Sequence, residues 1–282
     1  MIFGDFPQSI MADEPMQTIA DDPDPSPVRP IPVVSLEGES PRRARAAAAA
    51  LSSPLCGPAD AVGLHLVVGE TDAWLAMSGS QVRIAFDSAS MLHRRRGGQN
   101  ELLGRAVGIK AGLQRSVWDA TGGLGRDAFV LADLGCQVTL CERVPVLAWL
   151  LDEAINAARV SGYDKVREAA AKMTVQHYDS RLLHVPPDSV LYLDPMFPER
   201  KKRAAVKKEA AMLQCLTDSE DDSESLWDWA WHQPVERIVV KRPLRAPALG
   251  SQKPSHTLAG KTVRFDVFVR QQESANPTEM GG

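Results

Sequence analysis

One stretch, residues 117–142, has the order of a strand, a glycine-rich turn, a helix and a second strand that ends in an acid. Asp119 ends the first predicted strand, and Gly123 and Gly125 let the chain turn sharply and approach a ligand where a Cβ atom would collide. The helix begins at this turn, so its free N–H groups face the ligand. Glu142 ends the second strand, where a carboxylate can bind both hydroxyls of a ribose. The unit therefore predicts a nucleotide-like cofactor.

The spacing within this unit leaves two cofactors open. Gly123-x-Gly125-x-x-Ala128 fits the dinucleotide-binding pattern, and Glu142 lies 19 residues after Gly123. This pattern favours NAD and S-adenosylmethionine equally. An NAD-dependent oxidoreductase therefore stands as one alternative at this point.

The alternation of predicted elements indicates an α/β fold with a Rossmann-like, mostly parallel sheet. The larger part has strands at 116–119, 137–141, 173–178, 189–193 and 235–240, helices at 125–134 and 145–160, and a closing antiparallel hairpin at 262–269. Upstream, a strand from Ile31, an alanine-rich helix from Pro41 to about Ser52 and strands at 64–68, 73–77 and 82–86 predict a small N-terminal α/β subdomain.

These elements predict five consecutive regions and one insert. They are an acidic disordered extension at 1–30, the small subdomain at 31–90, a basic linker with a helix at 91–115, the sheet domain at 116–270 with an acidic insert at 218–228, and a flexible tail at 271–282. The extension is rich in Pro and Asp and has no apolar periodicity, which is typical of disorder.

The formal net charge of −4 hides an uneven distribution. The extension carries six acids and one base, and the insert carries six acids and no base, which leaves about +7 on the remainder. A basic body permits a nucleic-acid partner. No stretch approaches the ~20 apolar residues of a membrane span, no secretory signal pattern is present, and the four cysteines lack metal-ligand spacing. We therefore expect a cytoplasmic protein without a metal or a membrane partner.

A second motif, Asp194-Pro195-Met196-Phe197, directly follows the predicted strand at 189–193. In a doubly wound sheet, ligands bind at the carboxyl ends of the strands, near the point where the strand order reverses. A carboxylate and a backbone carbonyl there can accept the N–H groups of a planar amine, and Phe197 can stack on its ring. An oxidoreductase has no evident use for this arrangement, so the motif favours S-adenosylmethionine.

At this point the motifs resemble a known family. D-P-M-F is similar to the D/N-P-P-Y/F motif of class I methyltransferases that act on exocyclic amines. The segments DATGGLGRDAFVLA, CER, LDPMFPERKK, VKKE, VVKRP and RFDVF resemble the ribosomal RNA small subunit methyltransferase J family over roughly residues 31–270. That family usually has alanine where this chain has Gly122, a difference that we expect to loosen the turn without abolishing binding.

The resemblance implies a class I methyltransferase fold and S-adenosylmethionine-dependent methylation of guanine N2 in the 16S rRNA of the small ribosomal subunit. Together, the motifs and the resemblance predict cofactor contacts at Asp119, Gly123, Gly125, Arg126, Asp127, Glu142, Arg143, Asp179, Ser180 and Asp194. Arg126 is expected to meet the methionine carboxylate, Glu142 the ribose, and Asp179 the adenine amine. Asp179 and Ser180 also fit the cap of a following helix.

Direct methyl transfer requires no metal or covalent nucleophile, because the sulfonium is already a strong electrophile. The guanine amine is a poor nucleophile, so orientation must supply much of the rate. Asp194 and the carbonyl of Pro195 or Met196 are predicted to fix the amine and to stabilise its developing positive charge, with Phe197 completing the catalytic loop.

Three basic segments are predicted to converge on the same sheet edge as a phosphate-contacting rim. Their predicted RNA contacts are His93, Arg94, Arg95, Arg200, Lys201, Lys202, Lys241 and Arg242. Extrusion of a guanine from folded RNA would bring its Watson–Crick edge to Asp194. A non-catalytic RNA-binding or ribosome assembly factor on the same fold, and a small-molecule N-methyltransferase, are the remaining alternatives.

Overall fold

The computed structural model describes residues 30–36, 41–94, 99–110, 112–195, 204–217 and 222–270, which form two β-sheets with packed helices. In chain order, the elements are β1 Val33–Ser35, α1 Pro41–Ala50, β2 Leu55–Cys56, a 3-10 turn Pro58–Asp60, β3 His65–Val68, β4 Ala73–Met77, β5 Ser80–Val82, α2 Ala89–Arg94, α3 Gln99–Val107, β6 Ser116–Asp119, α4 Arg126–Asp133, β7 Gln137–Cys141, α5 Pro145–Arg159, α6 Asp164–Ala170, β8 Met173–Gln176, a second 3-10 turn Ser180–Leu182, β9 Ser189–Leu193, α7 Ala204–Gln214, α8 Ser223–His232, β10 Arg237–Pro243, β11 His256–Ala259 and β12 Val263–Val269. None of the helices in these ranges is long and apolar enough to cross a bilayer.

The larger sheet has seven strands in the order β11-β12-β10-β9-β6-β7-β8. The five strands from β10 to β8 are parallel, and β12 runs antiparallel to both of its neighbours. The chain moves outward from β6 through β7 to β8 and then returns to place β9 on the other side of β6, so the strand order reverses between β6 and β9. The predicted α/β fold, with a mostly parallel sheet and an antiparallel edge hairpin, is confirmed.

Both faces of the larger sheet are covered, which explains the continuous apolar run of β9. Successive side chains of a strand point to opposite faces. Val190 and Tyr192 belong to the core formed with α3, α4, α5 and α6, whereas Leu191 and Leu193 belong to the core formed with α8. A strand buried on both faces reads as uniformly hydrophobic in the sequence.

The smaller sheet has the order β2-β1-β3-β4-β5 and packs its core on the larger unit. Ala44 and Ala47 of α1 lie in the same apolar cluster as Leu147 of α5 and Met212 of α7. Helix α3, which lies in the predicted basic linker, also contributes Leu103 to the core of the larger sheet. The division of the chain at 91–115 remains a prediction.

The prediction of a strand over 82–86 is wrong, because β5 ends at Val82. Phe86 leaves the sheet and stacks on Phe129 of α4, with ring centroids 4.7 Å apart and an interplanar angle of 7°. This buried aromatic contact fixes the connection to the larger unit. The structure also contains α2, α6, α7 and α8, which the sequence prediction does not include.

The predicted acidic insert at 218–228 overlaps a helix of the fold. Residues 218–221 lie outside the described residues, as do the predicted extension up to residue 29 and the tail at 271–282. From Ser223 onward the segment forms α8, which buries Leu226 and Trp227 against the larger sheet. The acids at 223–228 therefore belong to a helix that packs an apolar face on the sheet.

Gly250 provides a test of this packing. Its φ is +69°, and a Cβ atom there would lie 1.8 Å from Nε1 of Trp227, which donates a hydrogen bond to Gln252 at 2.8 Å. Gly79 has nearly the same φ, +72°, but open space around it. We expect Gly250→Ala to lower the free energy of unfolding by about 2 kcal/mol more than Gly79→Ala, because only the first must displace the indole. Chemical denaturation measures both, and equal losses would contradict the packing.

Candidate active site

A cleft of about 650 Å³ opens at the carboxyl ends of β6, β7 and β9, next to the reversal in strand order. Ligands of open α/β sheets bind at such a point. All ten residues predicted to contact the cofactor line this cleft. Of the predicted catalytic residues, Asp194 and Pro195 also line it, whereas Met196 and Phe197 lie outside the described residues.

The glycine turn brings the start of α4 close to the sheet. Gly125 has a φ of +66°, and a Cβ atom there would lie 2.7 Å from Cδ2 of Leu151 and 3.1 Å from Cζ of Phe86. A side chain would thus oppose both the backbone conformation and the packing. At Gly122, a Cβ atom would lie 3.1 Å from the carbonyl oxygen of Cys141, so glycine leaves space between the turn and the end of β7.

Glu142 connects the turn to the second strand. Its carboxylate accepts hydrogen bonds from the amide of Gly123 at 2.6 Å and from the amide of Val144 at 2.8 Å. Burial raises the pKa of Glu142, and these amides oppose the shift. Each carboxylate oxygen can accept a further hydrogen bond, so the group is fixed in the cleft wall with capacity for hydroxyl donors.

Next to this strand end, in the loop after β8, Asp179 caps a 3-10 turn. It accepts a hydrogen bond from the amide of Arg181 at 3.0 Å and another from Arg181 Nε at 2.9 Å. Burial alone would raise the pKa of Asp179, but the hydrogen bonds from Arg181 hold it below its usual value. Arg143 lies beside this pair and forms an ion pair with Asp222. Asp179 therefore caps the turn as predicted, and Ser180 is the first residue of that turn.

The guanidinium of Arg126, the predicted partner of the methionine carboxylate, already binds a carboxylate in this structure. Glu209 of α7 accepts two hydrogen bonds from Arg126, each 2.8 Å long. The methionine end of the cofactor carries the same chemical group. The pair shows that Arg126 can present both of its terminal nitrogens to a carboxylate within the cleft wall.

Thr121 links the ends of β6 and β9. Its hydroxyl donates to Asp119 Oδ1 at 3.0 Å and accepts a hydrogen bond from the amide of Asp194 at 2.8 Å. The first residue of the D-P-M-F motif is thereby held against the glycine turn. Burial raises the pKa of Asp119 to about 7; the hydrogen bonds from Thr121 oppose this shift, while Asp127 and Asp194 add to it.

A lysine lies between two carboxylates at the floor of the cleft. Lys241 Nζ donates to Asp127 Oδ2 at 2.7 Å and to Asp194 Oδ2 at 2.6 Å. The hydroxyl of Tyr192 also donates to Asp127, at 2.7 Å, and Arg94 forms an ion pair with it. Burial would raise the pKa of Asp127, but Lys241 and Arg94 hold it at about 2. Burial raises the pKa of Asp194, and Lys241 opposes that shift.

The structure places Lys241 and Arg242 away from an exposed rim. Lys241 points into the cleft, and Arg242, on the opposite face of β10, is 4% exposed and donates to the carbonyl oxygen of Pro247 at 3.0 and 2.7 Å. The loop after β10 folds back over Arg242. Neither Lys241 nor Arg242 therefore extends into solvent from the end of this strand. Arg94 is partly exposed but pairs with Asp127. His93 is exposed, whereas the other four lie outside the described residues: Arg95, Arg200, Lys201 and Lys202.

The sequence prediction missed several polar side chains of the cleft, among them Thr121, Tyr178, Arg181, Tyr192, Glu209 and Asp222. Arg181 follows Asp179 by two residues and could have been considered as its partner. Glu209 and Asp222 carry no such signal, because they come from α7 and the start of α8 and reach the cleft only through the tertiary fold.

The sequence model of the family described as "Putative SAM-dependent methyltransferase" matches residues 60–270. The chain is 45% identical over 195 residues to ribosomal RNA small subunit methyltransferase J of Colwellia psychrerythraea, covering 67% of this chain and 71% of that protein. It is 39% identical over 223 residues to the protein of the same name from Stutzerimonas stutzeri, covering 74% and 84%. This chain belongs to that methyltransferase family.

A solved SAM-dependent methyltransferase from Neisseria gonorrhoeae has a similar fold, with 28% identity, a TM-score of 0.66 and coverage of 88% of this chain and 100% of that one. The predicted family, the class I methyltransferase architecture and the enzyme class are therefore confirmed. The family also decides the cofactor, which is S-adenosylmethionine, and removes the NAD-dependent oxidoreductase. The roles of individual residues remain predictions.

The raised pKa of Asp119 predicts that the affinity for adenosylhomocysteine depends on pH. With a pKa of about 7, it is mostly protonated at pH 6 and mostly ionised at pH 8. We expect Asp119, a predicted cofactor contact, to face the cationic amino group of this ligand, which only the ionised carboxylate attracts. We expect the affinity to rise by up to about tenfold from pH 6 to pH 8.

Isothermal titration at both pH values measures this rise. Asp119→Asn keeps an oxygen acceptor for Thr121 but has no charge to titrate, so its affinity should be nearly constant over the same interval. An equal rise in the variant would assign the pH dependence to another group.

Proposed function

We propose that this protein transfers the methyl group of S-adenosylmethionine to the exocyclic N2 of a guanosine in the 16S rRNA of the small ribosomal subunit. The observation that carries this proposal is the position of Asp194. Its carboxylate follows β9 at the reversal of strand order, in the same cleft as the glycine turn and Glu142. The names of the relatives supply the class of RNA.

The proposed cofactor pose follows the order of the groups along the cleft. Glu142 binds the ribose hydroxyls beside the glycine turn, and Asp179 with Ser180 binds the adenine at one end. Arg126 binds the methionine carboxylate at the other end, in place of Glu209. In this pose the methyl group points towards Asp194, which Thr121 holds beside the turn.

The methyl transfer is a single displacement. The bond from N2 to the methyl carbon forms as the bond from sulfur breaks, and the electron pair of that bond stays on sulfur to give adenosylhomocysteine. Positive charge moves from sulfur to the amine, which then loses a proton to solvent. Asp194 accepts an N–H bond from the amine, orients its lone pair and stabilises the positive charge that develops.

The substrate must deliver a guanine to a cleft that is recessed in the protein. Extrusion of the base from folded RNA gives its Watson–Crick edge access to Asp194. His93 and Lys208 are exposed basic residues on α2 and α7, elements that contribute other residues to the cleft walls. The predicted contacts Arg95, Arg200, Lys201 and Lys202 extend this proposed RNA surface. A ribosomal substrate would locate the enzyme in the cytoplasm.

An assay of methyl transfer tests the proposal. The wild-type protein, with labelled S-adenosylmethionine and small subunits from cells that lack it, should produce N2-methylguanosine in 16S rRNA. Asp194→Ala should reduce the rate at least about 100-fold, because the acceptor of the developing charge is lost, and should leave RNA affinity nearly unchanged.

The matched control is Asp188→Ala, at the exposed amino end of the same strand, which should retain full activity. Unchanged methylation in Asp194→Ala would remove the catalytic assignment. A wild-type protein that binds the RNA without methylating it would instead support the non-catalytic assembly factor.

A further inference from the structure

We propose that Lys241 is a positioning residue for methyl transfer, whose ammonium lies between Asp127 and Asp194 and holds Asp194 as a carboxylate aimed at the guanine amine. This inference rests on the proposed function and deepens it. It replaces the phosphate contact that the sequence predicts for this lysine.

The register of the sheet brings the three groups together. Val240 of β10 pairs with Leu193 of β9 in the parallel ladder, so Lys241 and Asp194 are the next residues along neighbouring strands. Both side chains lie on the face of the sheet that α4 covers, and α4 contributes Asp127. Lys241 Nζ thus reaches Asp127 at 2.7 Å and Asp194 at 2.6 Å, and only 18% of its side chain is exposed.

Asp127 has more cationic hydrogen-bond partners than Asp194. Asp127 receives hydrogen bonds from Tyr192 and Arg94 in addition to Lys241. Among the described residues, Lys241 is the single cation in hydrogen-bond contact with Asp194. Removal of its charge would leave Asp194 in a partly buried site that faces other carboxylates.

The groups that face Asp194 come from every neighbouring element. Lys241 lies on β10, Asp127 on α4, Arg94 on α2, Asp119 at the end of β6, and the neutral phenol of Tyr192 on β9 itself. Like charges and burial both favour the protonated form of a carboxyl group. Without Lys241, Asp127 and Asp119 would therefore promote protonation of Asp194.

The lysine also leaves one oxygen of Asp194 for the substrate. Lys241 binds Oδ2, and within the described residues no hydrogen bond engages Oδ1. Oδ1 can accept an N–H bond from the guanine amine while Oδ2 stays anchored. A protonated Asp194 would lose the negative charge that stabilises the methylated, cationic amine.

The test compares Lys241→Met with Lys172→Met. Lys172 lies at the amino end of β8, away from the cleft. At saturating cofactor and small subunits, we expect kcat of Lys241→Met at pH 7 to fall at least about tenfold. The acid limb of its profile of kcat against pH, where activity is lost as pH falls, should move upward by about one pH unit or more. Lys172→Met should retain the wild-type profile.

A conservative variant separates charge from packing. Lys241→Arg should retain the wild-type acid limb even if its kcat is lower, because it keeps the positive charge. If circular dichroism shows that Lys241→Met is unfolded, Lys241→Gln replaces it in the same comparison. If Lys241→Met or Lys241→Gln loses activity at the same acidic pH as the wild-type protein, the proposal is overturned.

The salt dependence of RNA binding distinguishes this role from a phosphate contact. A lysine that neutralises one phosphate contributes about one to the slope of log affinity against log salt concentration. We expect equal slopes for wild type and Lys241→Met, since Nζ is bound to two carboxylates. A slope reduced by about one would assign Lys241 to RNA and overturn the proposal.

The two proposals fail separately. A wild-type protein that transfers no methyl group to 16S rRNA would remove the proposed function. A wild-type protein that methylates this RNA, together with a neutral Lys241 variant whose acid limb is unchanged, would remove only the inference about Lys241.

Discussion

The parallel pairing of β6 with β9 is the constraint on which the site depends. These strands are distant in sequence, and their pairing brings Asp119 and Asp194 to one edge of the sheet. The hydroxyl of Thr121 then joins both groups through hydrogen bonds. The glycine turn and the D-P-M-F motif become two walls of one cleft only because the strand order reverses at this point.

Charge balance is the second constraint, because both the cofactor and the methylated amine are cationic. The cleft presents Asp119, Asp127 and Asp194 together, which would repel one another without nearby cations. Lys241 and Arg94 reduce that repulsion, and they do so unequally, so that Asp127 is firmly ionised while Asp194 is more easily protonated. The carboxylate next to the proposed substrate position is thus the one most sensitive to its surroundings.

The sequence predicts those parts of the fold and site that depend on neighbours along the chain. The turn at Gly125, the acid at Glu142 and the motif at Asp194 each follow a strand whose apolar pattern is visible, and all line the cleft. The segment at 218–228 shows the limit, because its acids obscure the apolar face that α8 buries. Whether a basic side chain such as Arg242 faces solvent depends on the loop that folds over it, and no local pattern reports this.

The central claim is that this protein methylates N2 of a guanosine in 16S rRNA. The most direct measurement is mass mapping of N2-methylguanosine in 16S rRNA from cells that lack the protein. We expect one such modification to be lost in these cells and to be restored by the wild-type protein but not by Asp194→Ala. Unchanged N2-methylguanosine at every position of this RNA would contradict the account.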